Sequence, residues 1–148
     1  MKIKYAIQPE DPENTVKAIG RDINVSFKDM VMVAKSLRGM MLPKAIDFMD
    51  KVIEKKAAVE YTRFKTNIGH RKGDVKIGKY PEKAAKNALA TLRNIEANAE
   101  FKGFDTSLVK LFHVEALHGV SRVKKKPKGR YATWKTEYVH LQVIGRQI

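Results

Sequence analysis

Two apolar segments near the C-terminus, separated by a long basic stretch, restrict the possible folds of this chain more than any other feature. Residues 108–117 are rich in Val, Leu and Phe, and residues 138–144 alternate apolar with polar side chains, so both are predicted strands. The nineteen residues between them, 119–137, are too many for an ordinary hairpin loop. If the flanks pair, they project the intervening segment from the sheet as a finger.

The positive charge of the chain is concentrated in this finger. Residues 116–148 contain eight basic residues and a single acid, Glu137, and so carry half of the formal net charge of +14. A surplus of this size repels itself unless a polyanion neutralises it. Lys and Arg can neutralise phosphates, while Tyr131 and Trp134 offer faces for stacking on bases. The combination favours RNA over duplex DNA. Two alternatives stay open: the lysines could be solvated without binding anything, and Trp134 could lie in the core instead of stacking on a base.

Three helices are predicted upstream of the finger. Capping residues, prolines at first helical positions and apolar stripes at helical spacing place them at residues 26–39, 43–56 and 81–103. The longest has an alanine-rich face, which permits close approach to another element. These helices supply the apolar faces that a small core needs.

The remaining segments are predicted to be shorter. Residues 3–7 alternate apolar and polar side chains and predict a strand, and Asp11-Pro12-Glu13 predicts a brief helix over residues 11–20. In residues 63–79 the periodicity disappears while glycines and basic residues accumulate, with Asp74 as the only acid. This segment is predicted to be a basic loop.

The composition excludes several classes of function. The absence of Cys excludes disulfides, cysteine zinc sites and thiol catalysis. Of the four histidines, only His113 has a carboxylate nearby, Glu115, so no metal is expected, and no cofactor or catalytic motif is present. The N-terminus has neither a signal peptide nor a membrane span, so a cytoplasmic location without membrane contact is expected.

Six short stretches, in order along nearly the whole chain, resemble a known family. The chain is similar to the large-subunit ribosomal protein universally numbered twenty-two, in its archaeal and eukaryotic branch. The matching stretches are Val25-Ser26-Phe27-Lys28, Leu37-Arg38-Gly39-Met40, Gly69-His70-Arg71, Lys79-Tyr80-Pro81-Glu82-Lys83-Ala84-Ala85-Lys86, Ala97-Asn98-Ala99-Glu100-Phe101-Lys102-Gly103 and Gly129-Arg130-Tyr131-Ala132-Thr133-Trp134.

The resemblance implies both a fold and a function. The fold is α+β: a single domain over residues 1–148, with a small antiparallel sheet of about three strands packed against helices and a long protruding β-hairpin at residues 117–136. The function is that of a structural constituent of the large ribosomal subunit, not an enzyme, which binds 23S-type rRNA through several rRNA domains and aids assembly. The hairpin is expected to line the polypeptide exit tunnel.

The expected partners are large-subunit rRNA, neighbouring large-subunit ribosomal proteins and the nascent polypeptide, with the protein a monomer within the ribosome. The tip that lines the tunnel is expected to comprise Arg122, Val123, Lys124, Lys125, Lys126, Pro127 and Lys128. The residues expected to contact rRNA are Arg63, Lys65, His70, Arg71, Lys72, Lys79, His118, Arg122, Lys124, Lys125, Lys126, Lys128, Arg130, Tyr131, Trp134 and Lys135.

Two other classes of function compete with this one. A free nucleic-acid chaperone or architectural DNA binder would show the same charge, and an RNA-processing enzyme would show the same affinity for RNA. The chain lacks the group of catalytic residues that an RNA-processing enzyme would need. The ordered match along the chain favours the ribosomal protein over the DNA binder.

Overall fold

The computed structural model describes residues 4–9, 11–73, 75–129 and 131–148. The elements in chain order are β1 (Thr15–Ile23), α1 (Phe27–Leu37), α2 (Leu42–Ile53), β2 (Val59–Glu60), β3 (Gly78–Lys79), α3 (Glu82–Phe101), a short 3-10 helix (Thr106–Leu108), β4 (Val109–His118), β5 (Arg122–Lys125), β6 (Thr133–Thr136) and β7 (Val139–Gln147).

Three of the strands form the main sheet, in the order β1-β7-β4, with both pairs antiparallel. The strand in the middle, β7, is therefore the partner of both others. Val143 shows this arrangement, since it lies opposite Ala18 on one side and opposite Val114 on the other. The predicted α+β class and three-stranded antiparallel sheet are confirmed.

The core lies between one face of this sheet and the helices. The alanine-rich face of α3 is fully buried at Ala85, Ala88 and Ala99, and these small side chains let the helix pack closely, as its contacts with β1 and β7 show. Gly145 of β7 also lies on this face, where an added Cβ would come within 2.8 Å of a methyl group of Val109. Close packing thus fixes the position of α3 on the sheet.

The outer edge of β1 is covered by side chains from α3. The amide Nδ2 of Asn98 donates to the carbonyl oxygen of Lys17 at 3.0 Å, and the Nζ of Lys102 donates to the carbonyl oxygen of Thr15 at 2.7 Å. Asn98 and Lys102 are four residues apart and so lie on the same side of the helix. They satisfy carbonyl groups that an edge strand would otherwise present to another chain.

The outer edge of β4 is covered by the end of α1 and the segment that follows it. Arg38 donates through Nη2 to the carbonyl oxygen of Val114 at 2.8 Å. The backbone of Leu111 accepts from Gly39 and donates to Met40, each at 2.8 Å. Gly39 has a left-handed backbone (φ 85°), which glycine adopts without strain. Both edges of the main sheet are therefore occupied within the chain.

The face of the sheet opposite the helices holds a buried amide. Gln142 is fully buried, and its Nε2 donates to the carbonyl oxygen of Lys4 at 2.8 Å while its Oε1 accepts from the backbone N–H of Ala6 at 3.0 Å. Both ends of the amide are satisfied, as burial of a polar group requires. The N-terminal segment is thus held over this face.

The two predictions for the N-terminal region are wrong. A strand, β1, lies where the brief helix over residues 11–20 was expected, because pairing with β7 and burial of Val16 and Ala18 outweigh the local helix-start signals. Tyr5 and Ile7 are not in a strand, because this segment pairs with the Gln142 side chain rather than with a neighbouring strand. Ile3 lies outside the described residues.

The other predicted elements of the main body are confirmed. The helices expected at residues 26–39, 43–56 and 81–103 correspond to α1, α2 and α3, and the two C-terminal strands correspond to β4 and β7. Ser26 caps α1 by accepting from the backbone N–H of Asp29 at 3.5 Å. Ser26 and Asp29 have the spacing of a capping box, but the carboxylate of Asp29 accepts from Tyr61 and Lys79 instead.

Candidate nucleic-acid interface

The basic segment between β4 and β7 contains a two-stranded antiparallel ribbon. Arg122 of β5 lies opposite Thr136 of β6, and Lys125 lies opposite Thr133. All of β5 and all but the last residue of β6 are exposed. Lys128 and Gly129 then reverse the chain with consecutive left-handed backbones, at φ 65° and 64°. Paired strands therefore lie within the segment where a protruding hairpin is expected, and we call the ribbon of β5 and β6 the hairpin. Its bounds of 117–136 and its projection from the domain stay predictions.

The register assigns the hairpin side chains to two faces, since directly opposed residues in an antiparallel pair point to the same side. Lys124 lies opposite Trp134 and shares its face with Arg122, whereas Val123 lies opposite Lys135 on the other face. Trp134 is 62% exposed, so it is not a core residue. One face thus presents an indole ring beside two cations, the combination that stacks on a base while neutralising phosphates.

The root of the hairpin joins it to the main sheet with a one-residue irregularity. His118 lies opposite Val139 in the sheet, and Arg122 lies opposite Thr136 in the hairpin, so the outgoing side uses one residue more than the return side. Such an irregularity bends a ribbon and increases its twist. The hairpin is therefore an offset continuation of β4 and β7.

Two contacts hold this root together. The backbone N–H of Gly119 donates to the carbonyl oxygen of Tyr138 at 2.7 Å, and an added Cβ at Gly119 would come within 2.9 Å of the same oxygen. The guanidinium of Arg122 lies 5.6 Å from the ring centroid of Tyr138. Arg122, which is expected to contact rRNA, is thus also positioned by a contact within the protein. No pattern in the sequence indicates that Tyr138 takes part.

The second basic segment, residues 63–79, is more ordered than the predicted loop. The short strands β2 and β3 pair at its base, and His70 lies opposite Ile77 in an isolated bridge further out. Gly73 turns the chain with a left-handed backbone (φ 106°). This segment, which we call the basic loop, is therefore a second small ribbon.

The arginine of the basic loop is held in place by the loop itself. Arg71 donates through Nε to the carbonyl oxygen of Gly78 at 3.0 Å, and its guanidinium lies 4.8 Å from the ring centroid of Tyr80. The N–H groups of its terminal nitrogens can donate to a phosphate while Nε keeps this contact. The arginine is thus preorganised, which lowers the entropy that binding would cost.

A partly buried carboxylate, that of Asp29, attaches the base of the basic loop to α1. Asp29 accepts from the hydroxyl of Tyr61 at 2.7 Å and from the Nζ of Lys79 at 3.1 Å through each oxygen. Burial, together with the hydrogen bond and the negative charge of Asp29, raises the pKa of Tyr61 well above its ordinary value. Lys79, expected to contact rRNA, is therefore already paired within the protein.

The first turn of α1 connects the two basic regions. The ring of Phe27 stacks on that of His118 at the hairpin root, with centroids 3.5 Å apart. The next residue, Lys28, places its Nζ 5.5 Å from the ring centroid of Phe64, and the guanidinium of Arg63 lies 5.5 Å from the same ring. These rings were not among the predicted site residues, because only the tertiary fold brings Phe27 to His118 and Phe64 to Lys28.

Phe64 has a conformation that is rare for a bulky side chain. Its backbone is left-handed, at φ 55°, a region that costs energy for residues with a Cβ. The ring borders a cleft of about 470 Å³ between the basic loop and α1. A strained aromatic flanked by two cations at a cleft is typical of a ligand-binding position.

The predicted site residues lie on these two basic regions, and those that the structure describes are exposed. Arg130 lies outside the described residues. Within the described parts of the chain, no group of three or more His, Asp or Glu residues could hold a metal ion. His113 instead contacts Glu115 at 3.2 Å, and His140 accepts from the backbone N–H of Asp22 at 3.1 Å. None of the helices over the described residues is long and apolar enough to cross a membrane.

Comparison with known proteins identifies relatives along most of the chain. A family model described as ribosomal protein L22p/L17e matches residues 18–146, which include the hairpin and the basic loop. Proteins named large ribosomal subunit protein uL22 are similar in several archaea. That of Methanocaldococcus jannaschii is 40% identical, covering 97% of this chain and 94% of the relative. That of Picrophilus torridus is 41% identical, covering 97% and 95%, and that of Archaeoglobus fulgidus is 38% identical, covering 87% and 86%.

Proposed function

We propose a function from the premise that this chain belongs to the ribosomal protein L22p/L17e family. As a member of that family it is a structural constituent of the large ribosomal subunit and not an enzyme. It assembles there with rRNA and with other ribosomal proteins. The hairpin and the basic loop are its two rRNA-binding regions, and by holding separate rRNA segments they aid assembly.

The face of the hairpin that carries Trp134 is the observation that supports this proposal most strongly. A large aromatic ring is costly to expose to water, and here it lies directly opposite Lys124 on a ribbon with no cover of its own among the described residues. RNA supplies both missing partners, since a base stacks on the ring and phosphates neutralise the cations. The described part of the hairpin tip adds Lys126, Lys128 and Tyr131, all exposed.

The basic loop is proposed to bind a second rRNA segment. Its guanidinium at Arg71 is fixed against Tyr80, and the cleft beside Phe64 is bordered by Lys28 and Lys79 as well. The hairpin root contacts this region through Phe27 and α1, so the spacing of the two surfaces is set by the body of the protein. A protein with two such surfaces joins rRNA segments that are distant in the rRNA sequence.

The salt dependence of binding tests the hairpin contact. Replacing Lys124, Lys125, Lys126 and Lys128 with Gln should reduce the slope of log affinity against log salt for an rRNA fragment by about 3, because each lost phosphate contact removes roughly 0.7–0.9. The measurement is a filter-binding or fluorescence titration at several salt concentrations. The melting temperature of the free variant should stay unchanged, because these lysines are exposed.

A matched control removes the same charge elsewhere. Lys44, Lys51, Lys83 and Lys86 lie exposed on α2 and α3, and replacing these four with Gln changes the net charge equally. Only a small change in slope is expected, from the long-range field. Equal slopes for the two variants would show that net charge, rather than the hairpin, determines binding, and would reject the proposal.

The tip of the hairpin is further proposed to reach the wall of the polypeptide exit tunnel and meet the nascent chain, with one copy of the protein in each subunit. Its cations would repel the basic body if they folded back on it, whereas rRNA around the tip neutralises them. A photo-crosslinker at Lys125 should react with stalled nascent chains long enough to fill the tunnel. The same crosslinker at Lys51 on α2 is the control, and no reaction from Lys125 at any chain length would place the tip elsewhere.

A further inference from the structure

We infer that the end of the main sheet farthest from the hairpin is a docking surface for a segment of another protein that carries apolar side chains and at least one carboxylate. This surface, the distal patch, comprises Ile7, Leu108, Lys110, Phe112, Arg146 and Ile148. The inference rests on the proposed function, because the partner is expected among the proteins that assemble in the same subunit.

Phe112 is the centre of the distal patch. The pairing of β4 with β7 shifts its register between Leu111 and His113, so Phe112 is the additional residue of a bulge and has no partner across the strands. Its ring is 56% exposed, whereas its neighbours Leu111 and His113 are buried. The bulge therefore turns an aromatic side chain out of the sheet and leaves more than half of it exposed.

Two adjoining clefts meet at this ring. One of about 230 Å³ is lined by Ile7, Pro9 and Phe112, and the other, of about 530 Å³, is lined by Lys110, Phe112 and Ile148. Leu108, which is 44% exposed, continues the apolar surface, since its carbonyl oxygen accepts from the backbone N–H of Ile148 at 3.2 Å. A contiguous apolar surface around an aromatic anchor is typical of a protein–protein contact.

The charges around the second cleft indicate what the partner carries. Arg38, Lys110 and Arg146 line it, and none of its described lining residues is acidic. Arg38 and Arg146 each have one partner within the chain, the carbonyl oxygen of Val114 and the carboxylate of Asp11. Lys110 is exposed on the rim. A carboxylate next to the apolar anchor of the partner would therefore complete the site.

A protein fits the distal patch better than rRNA does. Phe112 is the one aromatic side chain of the patch as defined. The other apolar side chains, those of Ile7, Leu108 and Ile148, are aliphatic and offer no face for base stacking, whereas the hairpin exposes both Trp134 and Tyr131. Phe112, the centre of the patch, lies six residues along β4 from His118 at the hairpin root, a separation of about 20 Å at roughly 3.3 Å per residue.

The test is photo-crosslinking from the patch in assembled subunits. A benzoylphenylalanine that replaces Phe112 in the full chain should, after irradiation of purified large subunits, give an adduct that survives ribonuclease and is degraded by protease. Mass spectrometry should show a crosslinked peptide containing Asp or Glu from a different protein. Lys110→Glu should reduce the adduct yield at least threefold, whereas Lys51→Glu on α2 should leave it unchanged.

Three results would overturn the inference: a ribonuclease-sensitive adduct, an adduct to a second copy of this chain, or no protein adduct from probes at both Phe112 and Leu108. The probe at Leu108 is included because it leaves Phe112 intact. A benzoylphenylalanine at Trp134 tests the proposed function separately, since it should give a ribonuclease-sensitive adduct. Loss of that adduct alone would reject the rRNA contact and leave the distal patch standing.

Discussion

The main sheet and the hairpin are both antiparallel β structure, and they differ in what covers them. The sheet has helices on one face, the N-terminal segment held by Gln142 on the other, and edges occupied by Asn98, Lys102 and Arg38. The hairpin exposes almost all of both strands. An isolated two-stranded ribbon is marginally stable in water. The comparison shows that backbone pairing alone does not distinguish strands that are covered by the rest of the chain from strands that are exposed on both faces.

The same comparison explains several residues that carry the family resemblance. Asn98, Lys102 and Arg38 are polar residues in matched stretches, and polar residues in a ribosomal protein suggest contacts with rRNA. In the structure each of them donates to the carbonyl oxygen of an edge strand. These residues of the matched stretches therefore cover the edges of the sheet, which prevents the edge strands from pairing with another chain.

Removing core volume should produce the largest difference between the two regions. Leu141 is fully buried in β7, so Leu141→Ala should lower the free energy of unfolding by about 2–5 kcal/mol through lost burial and a cavity. Trp134→Ala removes a larger side chain from the hairpin and should change it by less than about 0.5 kcal/mol. Chemical denaturation of the free proteins measures both. A cost above about 2 kcal/mol for Trp134→Ala would show that the hairpin belongs to the body.

The attachment of the basic loop should give a smaller and pH-dependent effect. Tyr61→Phe removes the buried hydrogen bond to Asp29 and should cost about 1.5–3 kcal/mol near neutral pH, as for bonds to charged groups. In the wild type the pKa of Tyr61 is raised above its ordinary value of 10.0. Its contribution is therefore complete below pH 10 and is lost as the pH rises further, because the unfolded tyrosine ionises first.

Unfolding of the wild type and of Tyr61→Phe between neutral pH and pH 11 measures this effect. The difference in stability between the two proteins should shrink above pH 10. Tyr131→Phe provides the control, since Tyr131 is fully exposed in the hairpin and its substitution should leave the pH dependence unchanged. A constant difference between wild type and Tyr61→Phe across this range would contradict a raised pKa for Tyr61.

Removing the side chains that cover the outer edge of β1 should leave that edge exposed, as the hairpin strands are. Of the changes considered, it should have the smallest effect on the free energy of unfolding. Asn98→Ala and Lys102→Ala each remove one donor to β1 and should lower the free energy of unfolding by about 1 kcal/mol. The double variant should also self-associate more readily, because the carbonyl groups of β1 become available to another chain. Light scattering measures the second effect, with Arg93→Ala as the control, because Arg93 is exposed on a different side of the same helix.

The elements with strong local signals could be predicted from the sequence, and β1 could not. The helices α1 to α3 have caps and regular apolar spacing, and β4 and β7 have apolar runs of strand length. The residues of β1 follow Asp11-Pro12-Glu13, a strong helix-start pattern, and only the neighbouring β7 decides their conformation. A strand that forms by pairing with a distant segment is difficult to recognise from about ten neighbouring residues of sequence alone.

The candidate site shows a similar division. Exposure of Lys124 and its neighbours follows from composition, so the basic residues could be selected from the sequence. The aromatic partners could not: Phe27 meets His118, and Phe64 meets Lys28, across long stretches of chain. The internal pairing of Lys79 with Asp29 was equally invisible, because it depends on how the basic loop packs against α1.

The central position of β7 has a consequence for how the chain acquires its structure during synthesis. In translation β1 and β4 are made first, yet they are not neighbours in the sheet, and each hydrogen-bonds to β7 instead. The amide of Gln142, in the same strand, also holds residues 4 and 6. Until β7 has been translated, the earlier strands have no partner in this sheet, and their apolar faces are open to aggregation. The sheet therefore closes in one late step, and a newly made chain needs protection until then.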